Sequence, residues 1–225
     1  VILTLWQTRI LRNTRLTVRD EIANGLSYYR YTFLRELPRL YAEIEDAVGE
    51  FCGDDALRVP PLLHIGNWIG GDRDGNPYVT HEIMSHALRA QSMLALEFYL
   101  EEVHRLGAEL SMARRQTRVS AALEQLSAAS PDSSEHRADE PYRRTLIGIY
   151  GRLAATARVL ELPVVVRAST ATMPAYANGA ELLADLDVIA ESLTAYGGAR
   201  IARGRLRDLR RAVEVFGFYL CPLDM

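Results

Sequence analysis

The segment Gly70–Pro77 reads Gly-Gly-Asp-Arg-Asp-Gly-Asn-Pro and follows an apolar run, Leu62 to Trp68. Glycine tolerates positive φ and allows close approach of the backbone, whereas proline fixes φ and stops strand pairing. The apolar run is short and bounded by proline and glycine, which favours a buried strand over a helix. We therefore expect a charged loop at the end of a core strand. A plain polar surface turn is the alternative.

Helical periodicity precedes and follows this loop. Thr17, with Asp20 three residues later, predicts a helix N-cap, and Pro38 is expected to end or restart the helix behind it. After the loop, Thr80 is expected to cap a long helix that ends near Gly107. Further helices are predicted over 121–128, from Pro141 onward, and around Leu182–Leu193 and Leu206–Val213. The chain closes in Val215–Leu223, a second predicted buried strand.

Composition limits the class of protein. The chain has 225 residues, a net charge of -3 and 26 basic residues, all of them arginine. The charge argues against a general binder of nucleic acid, and the missing lysine excludes Schiff-base chemistry and a P-loop lysine within this segment. Two distant cysteines and the lack of an apolar run near ~18 residues point to a cytosolic protein with no membrane span. The chain starts without methionine, as if inside a helix, and is expected to be a fragment.

Two near-matches to metal motifs fail on spacing. Asp72–Asn76 alternates oxygen donors. Its glycine is at the wrong position for a calcium loop, and the glutamate that such a loop needs is absent. His81 and His86 stand five residues apart, about 140° around a helix, and cannot share one zinc ion. His64, inside the apolar run, is expected to be a core histidine.

An arginine cluster raises a question of binding. On one continuous helix, four of these arginines would stack along one face, where they could clamp phosphate or nucleic acid. A solvated helix face is the favoured interpretation, and an anionic-metabolite site is the alternative. The cluster consists of Arg200, Arg203, Arg205, Arg207, Arg210 and Arg211.

The stretch Trp68 to Thr80 resembles a family signature. It reads Trp-Ile-Gly-Gly-Asp-Arg-Asp-Gly-Asn-Pro-Tyr-Val-Thr and is similar to the W-[MI]-GGDRDGNP-x-VT motif of phosphoenolpyruvate carboxylases. The resemblance extends over essentially the whole chain. Segments similar to family segments, in the same order, are Leu5–Thr8, Asp20–Ile22, Leu26–Tyr29, Phe33–Tyr41, Asp139–Arg143, Phe216–Phe218 and Leu223–Asp224.

This resemblance implies a TIM-type (β/α)8 barrel elaborated with extra helices. The chain is then expected to be mostly α and to contribute about two barrel strands, as an internal segment (residues 1–225) of a single barrel domain. Active sites of such barrels lie at the C-terminal ends of the strands. The loop Gly70–Asn76 and Asp224 would therefore share the catalytic face.

The implied reaction joins bicarbonate to phosphoenolpyruvate and yields oxaloacetate and phosphate, an anaplerotic carbon fixation that feeds the tricarboxylic acid cycle. The resemblance implies Mg²⁺ or Mn²⁺ as cofactor and a cytoplasmic homotetramer with no nucleic-acid or membrane partner. The family's catalytic-histidine motif, TAHPT, and its metal-binding acids are absent from this sequence. We therefore expect the metal ligands to lie outside it and the fragment alone to be inactive.

The resemblance also assigns roles within the loop, although no catalytic residue is expected in this chain. Trp68 matches the family tryptophan that walls an apolar pocket near the bicarbonate or CO₂ site. Arg73 either holds phosphate or is fixed between its two neighbouring aspartates, and the second role is slightly favoured. Trp68 and Arg73 are the substrate-binding candidates. The pocket-shaping candidates are Trp68, Gly70, Gly71, Asp72, Arg73, Asp74, Gly75 and Asn76.

One departure concerns regulation. Arg9–Arg12 stands where many relatives have an Asp-Glu-Ile-Arg stretch, so activation by a sugar phosphate, which that region supports in some relatives, is not expected here. The alternative to the enzyme is a non-catalytic helical scaffold whose arginine-rich face binds an acidic partner.

Overall fold

The computed structural model describes residues 2–7, 16–54, 57–167 and 173–224. Regular structure in these ranges is mostly helical, as predicted. A π turn at Tyr29–Phe33 joins the second and third α-helices, and Glu135–Arg137 forms a 3₁₀ turn. The departure at Arg9–Arg12 lies outside the described residues. The α-helices are α1 (Ile2–Gln7), α2 (Val18–Tyr28), α3 (Leu34–Cys52), α4 (His81–Glu109), α5 (Ala121–Ala128), α6 (Pro141–Val159), α7 (Gly179–Ala195), α8 (Ala199–Ala202) and α9 (Arg205–Phe216).

The predicted helix starts are confirmed. The Thr17 hydroxyl accepts a hydrogen bond from Asp20 N at 3.3 Å, and the Asp20 carboxylate accepts one from Thr17 N at 2.9 Å. These reciprocal bonds form a capping box. Thr80 is the N-cap residue of α4, and Pro141 is the first residue of α6, where its missing N–H costs nothing.

One predicted helix break is wrong, and one predicted helix end is confirmed. α3 runs through Pro38, which is buried, one turn after the π turn. The preference of about 3 kcal/mol against proline inside a helix is outweighed when the helix buries several side chains at about 1.5–3 kcal/mol each. α4 ends at Glu109, two residues beyond the predicted end near Gly107.

α4 is the central helix of the fold. It packs against α2, α6 and α9, while α7 packs against α9 and α5 against α6. Leu96, Tyr99 and Leu106 of α4 are almost fully buried, and they belong to one contiguous core with residues such as Leu153 of α6 and Leu182 of α7. None of the helices described for this chain is long and apolar enough to cross a membrane.

The predicted strand over Leu62–Trp68 is wrong. Within the described ranges, pairing is limited to one parallel bridge between Asn67 and Leu223. Leu62 is 61% exposed, and His64 is exposed rather than in the core. The Tyr41 hydroxyl accepts hydrogen bonds from Leu62 N and Leu63 N at 2.6 and 2.8 Å. The Tyr41 side chain thus binds the two backbone N–H groups, which in a sheet would bond to a neighbouring strand.

The second predicted strand is wrong in type but right in burial. Val215 and Phe216 form the last turn of α9, and Gly217 ends the helix with φ +52°. Phe218 and Cys221 beyond it are buried. A short apolar run fits a buried helix end as well as a buried strand, so periodicity alone could not separate them.

The predicted continuous arginine face is also wrong. α8 ends at Ala202 and α9 begins at Arg205, so Arg200 lies on α8, Arg203 lies between the two helices, and the other arginines of the cluster lie on α9. Arg211 is only 3% exposed. Its guanidinium contacts the carboxylate of Glu45, which is itself buried. An intramolecular ion-pair network therefore replaces the expected solvated face around this residue.

Candidate functional site

The parallel bridge joins the entry of the loop to the end of the described chain. Asn67 N donates to Pro222 O at 3.1 Å, and Asp224 N donates to Asn67 O at 2.9 Å. The Asn67 side chain also accepts a hydrogen bond from Ile69 N at 3.0 Å. Asp224 therefore lies beside the loop, and their expected place on one catalytic face stays a prediction. Asn67 itself was missed, although an amide inside an otherwise apolar run was a usable signal.

Gly70 and Gly71 are placed by close packing. Gly70 has φ +87°, and a Cβ there would lie 3.0 Å from Ala87 Cβ and 3.0 Å from Ile22 Cδ1. A Cβ at Gly71 would overlap the carbonyl oxygen of Asp224 and lie 2.6 Å from Leu223 Cγ. Only glycine lets the loop approach both α2 and the Leu223–Asp224 segment this closely.

The rest of the loop is a series of side-chain-stabilised turns. The Asp72 carboxylate accepts a hydrogen bond from Asp74 N at 3.2 Å, and the Asn76 side chain accepts one from Tyr78 N at 3.0 Å. Asp74 and Gly75 have positive φ angles of 29° and 75°. Such local bonds are typical of Asp and Asn in turns. They fix the backbone of the loop, and the bond from Tyr78 N to Asn76 supports Asn76 as a residue that shapes it.

Arg73 is exposed and lies at the outer side of these turns. Across the described residues, its guanidinium makes no ion pair with Asp72, Asp74 or any other carboxylate. No ion pair among the described residues fixes Arg73 between its two neighbours, and one oxygen of the Asp72 carboxylate accepts a hydrogen bond from the Asp74 backbone. The role of Arg73 stays a prediction. The guanidinium retains its donors for an anion.

Trp68 stands at the entry of the loop. Its side chain is 68% exposed, while its carbonyl accepts hydrogen bonds from Gly71 N and Asp72 N at 3.0 and 3.1 Å. The backbone of Trp68 is thus fixed by the turn that follows it. The indole offers a rigidly placed apolar surface next to the charged part of the loop.

α3 holds the segment that leads into the loop. Besides the two bonds to the Tyr41 hydroxyl, the Glu45 carboxylate accepts a hydrogen bond from Val59 N at 3.0 Å. The Arg211 guanidinium lies 4.5 Å above the Tyr41 ring, within range of a cation–π interaction. Sequence reasoning missed Tyr41 and Glu45, because their partners lie far along the chain.

α4 holds the segment that ends at Asp224. The Tyr99 hydroxyl donates to Gly217 O at 2.7 Å. With its side-chain amide nitrogen oriented toward Cys221, Gln91 donates a hydrogen bond to Cys221 O at 3.0 Å. Burial raises the pKa of the Cys221 thiol above its usual value. These polar contacts inside the core fix the direction in which the chain reaches Leu223.

Metal ligands are not grouped in the described part of the chain. No set of three or more His, Cys, Asp or Glu residues there is arranged to hold a metal ion. His81 lies 3.1 Å from the carboxylate of Glu82. The structure thus brings together Trp68, Gly70–Asn76 and Asp224, and within this loop the exposed Arg73 is available to bind an anion.

Comparison with known proteins identifies relatives over the whole length. The family model for phosphoenolpyruvate carboxylase matches residues 1–225. A protein named phosphoenolpyruvate carboxylase from Nitrosomonas europaea is 50% identical over 99% of this chain and 24% of its own length. Those from Azoarcus sp. and Aromatoleum aromaticum are 52% and 54% identical over 100% of this chain and 24% and 25% of their lengths. The chain therefore spans about a quarter of the curated relatives it matches.

Proposed function

The chain belongs to the phosphoenolpyruvate carboxylase family, and from this premise we propose that the polypeptide containing it carboxylates phosphoenolpyruvate with bicarbonate, forming oxaloacetate and phosphate. The observation that carries the proposal is the loop at Gly70–Asn76, where Arg73, which has no ion-pair partner among the described residues, stands near the exposed Trp68. The non-catalytic scaffold is not favoured, because the relatives are named as an enzyme.

The loop suits the two halves of this reaction. A bicarbonate oxygen attacks the phosphorus of phosphoenolpyruvate, the bond between phosphorus and the enol oxygen breaks, and carboxyphosphate and an enolate form. Carboxyphosphate releases phosphate and CO₂, and the enolate carbon attacks CO₂ to form the new carbon–carbon bond. We assign Arg73 to binding negative charge on the substrates. Trp68 provides an apolar wall that shields CO₂ and the enolate from water.

The divalent metal expected for this reaction has no ligand set among the described residues. The carboxylates of Asp72 and Asp74 lie on an exposed loop, and Asp72 already accepts a backbone hydrogen bond. The described residues therefore supply no ligand set to which a metal-assisted step could be assigned. We propose that Mg²⁺ or Mn²⁺ is held by ligands elsewhere in the polypeptide.

The same premise extends to architecture. The proposed fold of the whole polypeptide is a helix-elaborated (β/α)8 barrel, in a cytoplasmic homotetramer. The parallel bridge between Asn67 and Leu223 supports it, because neighbouring barrel strands are parallel and their carboxyl ends point to one face. In that fold, the loop after Asn67 and the chain after Leu223 approach the active site together.

Arg73→Ala in the intact polypeptide tests the function. Loss of one preorganised cation is expected to lower kcat for oxaloacetate formation by about 100-fold, measured as bicarbonate-dependent NADH oxidation with malate dehydrogenase. The thermal midpoint is expected to stay the same, because Arg73 is exposed and has no ion pair among the described residues. Arg19→Ala, at an exposed position on α2, is the control. A parallel loss of folded protein and activity would instead make Arg73 structural.

A further inference from the structure

A second cluster of cations lines a cavity of about 790 Å³. The cavity lies where residues 57–58 meet α7, α8 and α9, next to Glu45 of α3. Its volume falls within the range of small-molecule sites, roughly 300–1,000 Å³. One carboxylate, Glu45, lines it together with the guanidiniums of Arg58, Arg200, Arg203, Arg207, Arg210 and Arg211.

Carboxylates outside the lining hold several of these guanidiniums in place. Asp187 accepts a hydrogen bond from Arg210 Nε at 2.6 Å, and Asp46 accepts one from Arg207 Nη1 at 2.8 Å. Glu214 accepts hydrogen bonds from Arg58 Nη2 at 3.2 Å and from Arg211 Nη1 at 2.6 Å. None of these three carboxylates lines the cavity. These three carboxylates hold arginines in place from outside the cavity, while Glu45 inside it accepts hydrogen bonds from Arg207 and contacts Arg211. Six guanidiniums thus share a single lining carboxylate.

Donors remain for a ligand. A guanidinium carries five N–H groups, and Arg210 reaches Asp187 with only its Nε and Nη2 atoms. Arg200 is exposed, and the described residues contain no ion-pair partner for it. Like charges around one cavity are unfavourable unless a counter-ion is bound, and fixed guanidinium forks match the oxygens of phosphate.

We propose that this cavity binds a small phosphate-bearing anion with at least two negative charges. The guanidiniums take the phosphate oxygens. Leu57, Ala190, Ala199 and Ala202, which also line the cavity, leave an apolar strip for the remainder of the molecule. The proposal is independent of the carboxylation reaction, since none of the lining residues belongs to the Gly70–Asn76 loop.

The test is isothermal titration of the intact polypeptide with pyrophosphate at constant ionic strength. Wild type is expected to bind in the micromolar to low-millimolar range, and Arg200→Ala/Arg203→Ala is expected to weaken binding by about tenfold or more, because charge-assisted hydrogen bonds are lost. The matched control, Arg19→Ala/Arg115→Ala, removes two exposed arginines that do not line the cavity and should bind as wild type does. Thermal unfolding confirms that each variant is folded. If the double variant is not, Arg200→Ala alone replaces it.

Two results would overturn the proposal. One is the absence of pyrophosphate binding by the wild type at concentrations up to about 50 mM. The other is equal weakening in the cavity variant and the control, which would mean diffuse charge attraction. Citrate serves as a second titrant, and binding as tight as that of pyrophosphate would refute the preference for phosphate.

Discussion

At the scale of single residues, the glycines of the loop have different structural roles. Gly70 and Gly71 exclude side chains where the loop packs against other segments, whereas Gly75 faces open space and supplies a φ of +75°. Substitution at Gly71 is therefore a steric test and substitution at Gly75 a conformational one. The two can be told apart by which hydrogen bonds they disturb.

Gly71→Ala is expected to separate the loop from Leu223–Asp224, because the new Cβ overlaps the backbone of Asp224. Overpacking of this kind destabilises by about 1–3 kcal/mol. Hydrogen exchange should show faster exchange of the Asn67 and Asp224 amides, which form the bridge. Gly75→Ala should cost about 1–2 kcal/mol and leave these two amides protected. Equal exchange in both variants would mean that close packing at Gly71 does not hold the bridge.

At the scale of elements, α3 and α9 together position the approach to the loop. Glu45 of α3 lies at the centre, since its carboxylate contacts Arg207 and Arg211 of α9 and accepts a hydrogen bond from Val59 N. Glu45 and Arg211 are both almost fully buried. Removal of one partner of a buried pair leaves an uncompensated charge, which is more damaging than loss of an exposed pair.

Glu45→Gln is expected to lower the free energy of unfolding by about 3–5 kcal/mol, measured by urea denaturation. Glu36→Gln on the same helix is the matched control. Its partner, Arg39, lies at 2.9 Å, but both side chains are more than half exposed, so a loss of about 0–1 kcal/mol is expected. Similar losses in the two variants would show that the buried network does not stabilise the contact between α3 and α9.

At the scale of the whole molecule, burial of ionisable groups makes the stability of the folded state depend on pH in the alkaline range. Burial raises the pKa of the Cys221 thiol and of the phenols of Tyr29, Tyr99 and Tyr176. A group whose pKa is raised by folding stabilises the native state fully below its unfolded pKa. That contribution is lost as pH rises through the folded pKa, because the unfolded chain releases the proton first.

The stability of the protein is therefore expected to fall as pH rises above about 8.5, the usual pKa of a thiol. Cys221→Ala should reduce the slope of unfolding free energy against pH between roughly 8 and 9.5, below the usual range of tyrosine. Urea denaturation at several pH values measures this slope. Cys52→Ala, at the exposed cysteine, should leave it unchanged. An unaltered slope in the Cys221 variant would contradict the assignment.

The helices and the character of the loop could be predicted from sequence, because their causes are local. Thr17 caps α2 through residues three positions away, and Pro141 begins α6 through its own ring geometry. The glycine, aspartate and asparagine residues at 70–76 likewise set a turn by short-range bonds. The predicted strands failed because pairing depends on a partner elsewhere in the chain.

The sequence by itself determined the mostly helical chain, the turn-forming loop and, through its long motif, the family resemblance. Only the tertiary structure decided that the Tyr41 hydroxyl rather than a neighbouring strand bonds to Leu62 and Leu63, and that Arg73 has no ion-pair partner in the part of the chain described. It also decided that the arginines of α8 and α9 surround a cavity with Arg58. Local hydrogen bonds and side-chain periodicity depend on residues close together in the sequence. The contacts of Tyr41 and of the cavity arginines join residues far apart in the chain and form only once the core has packed.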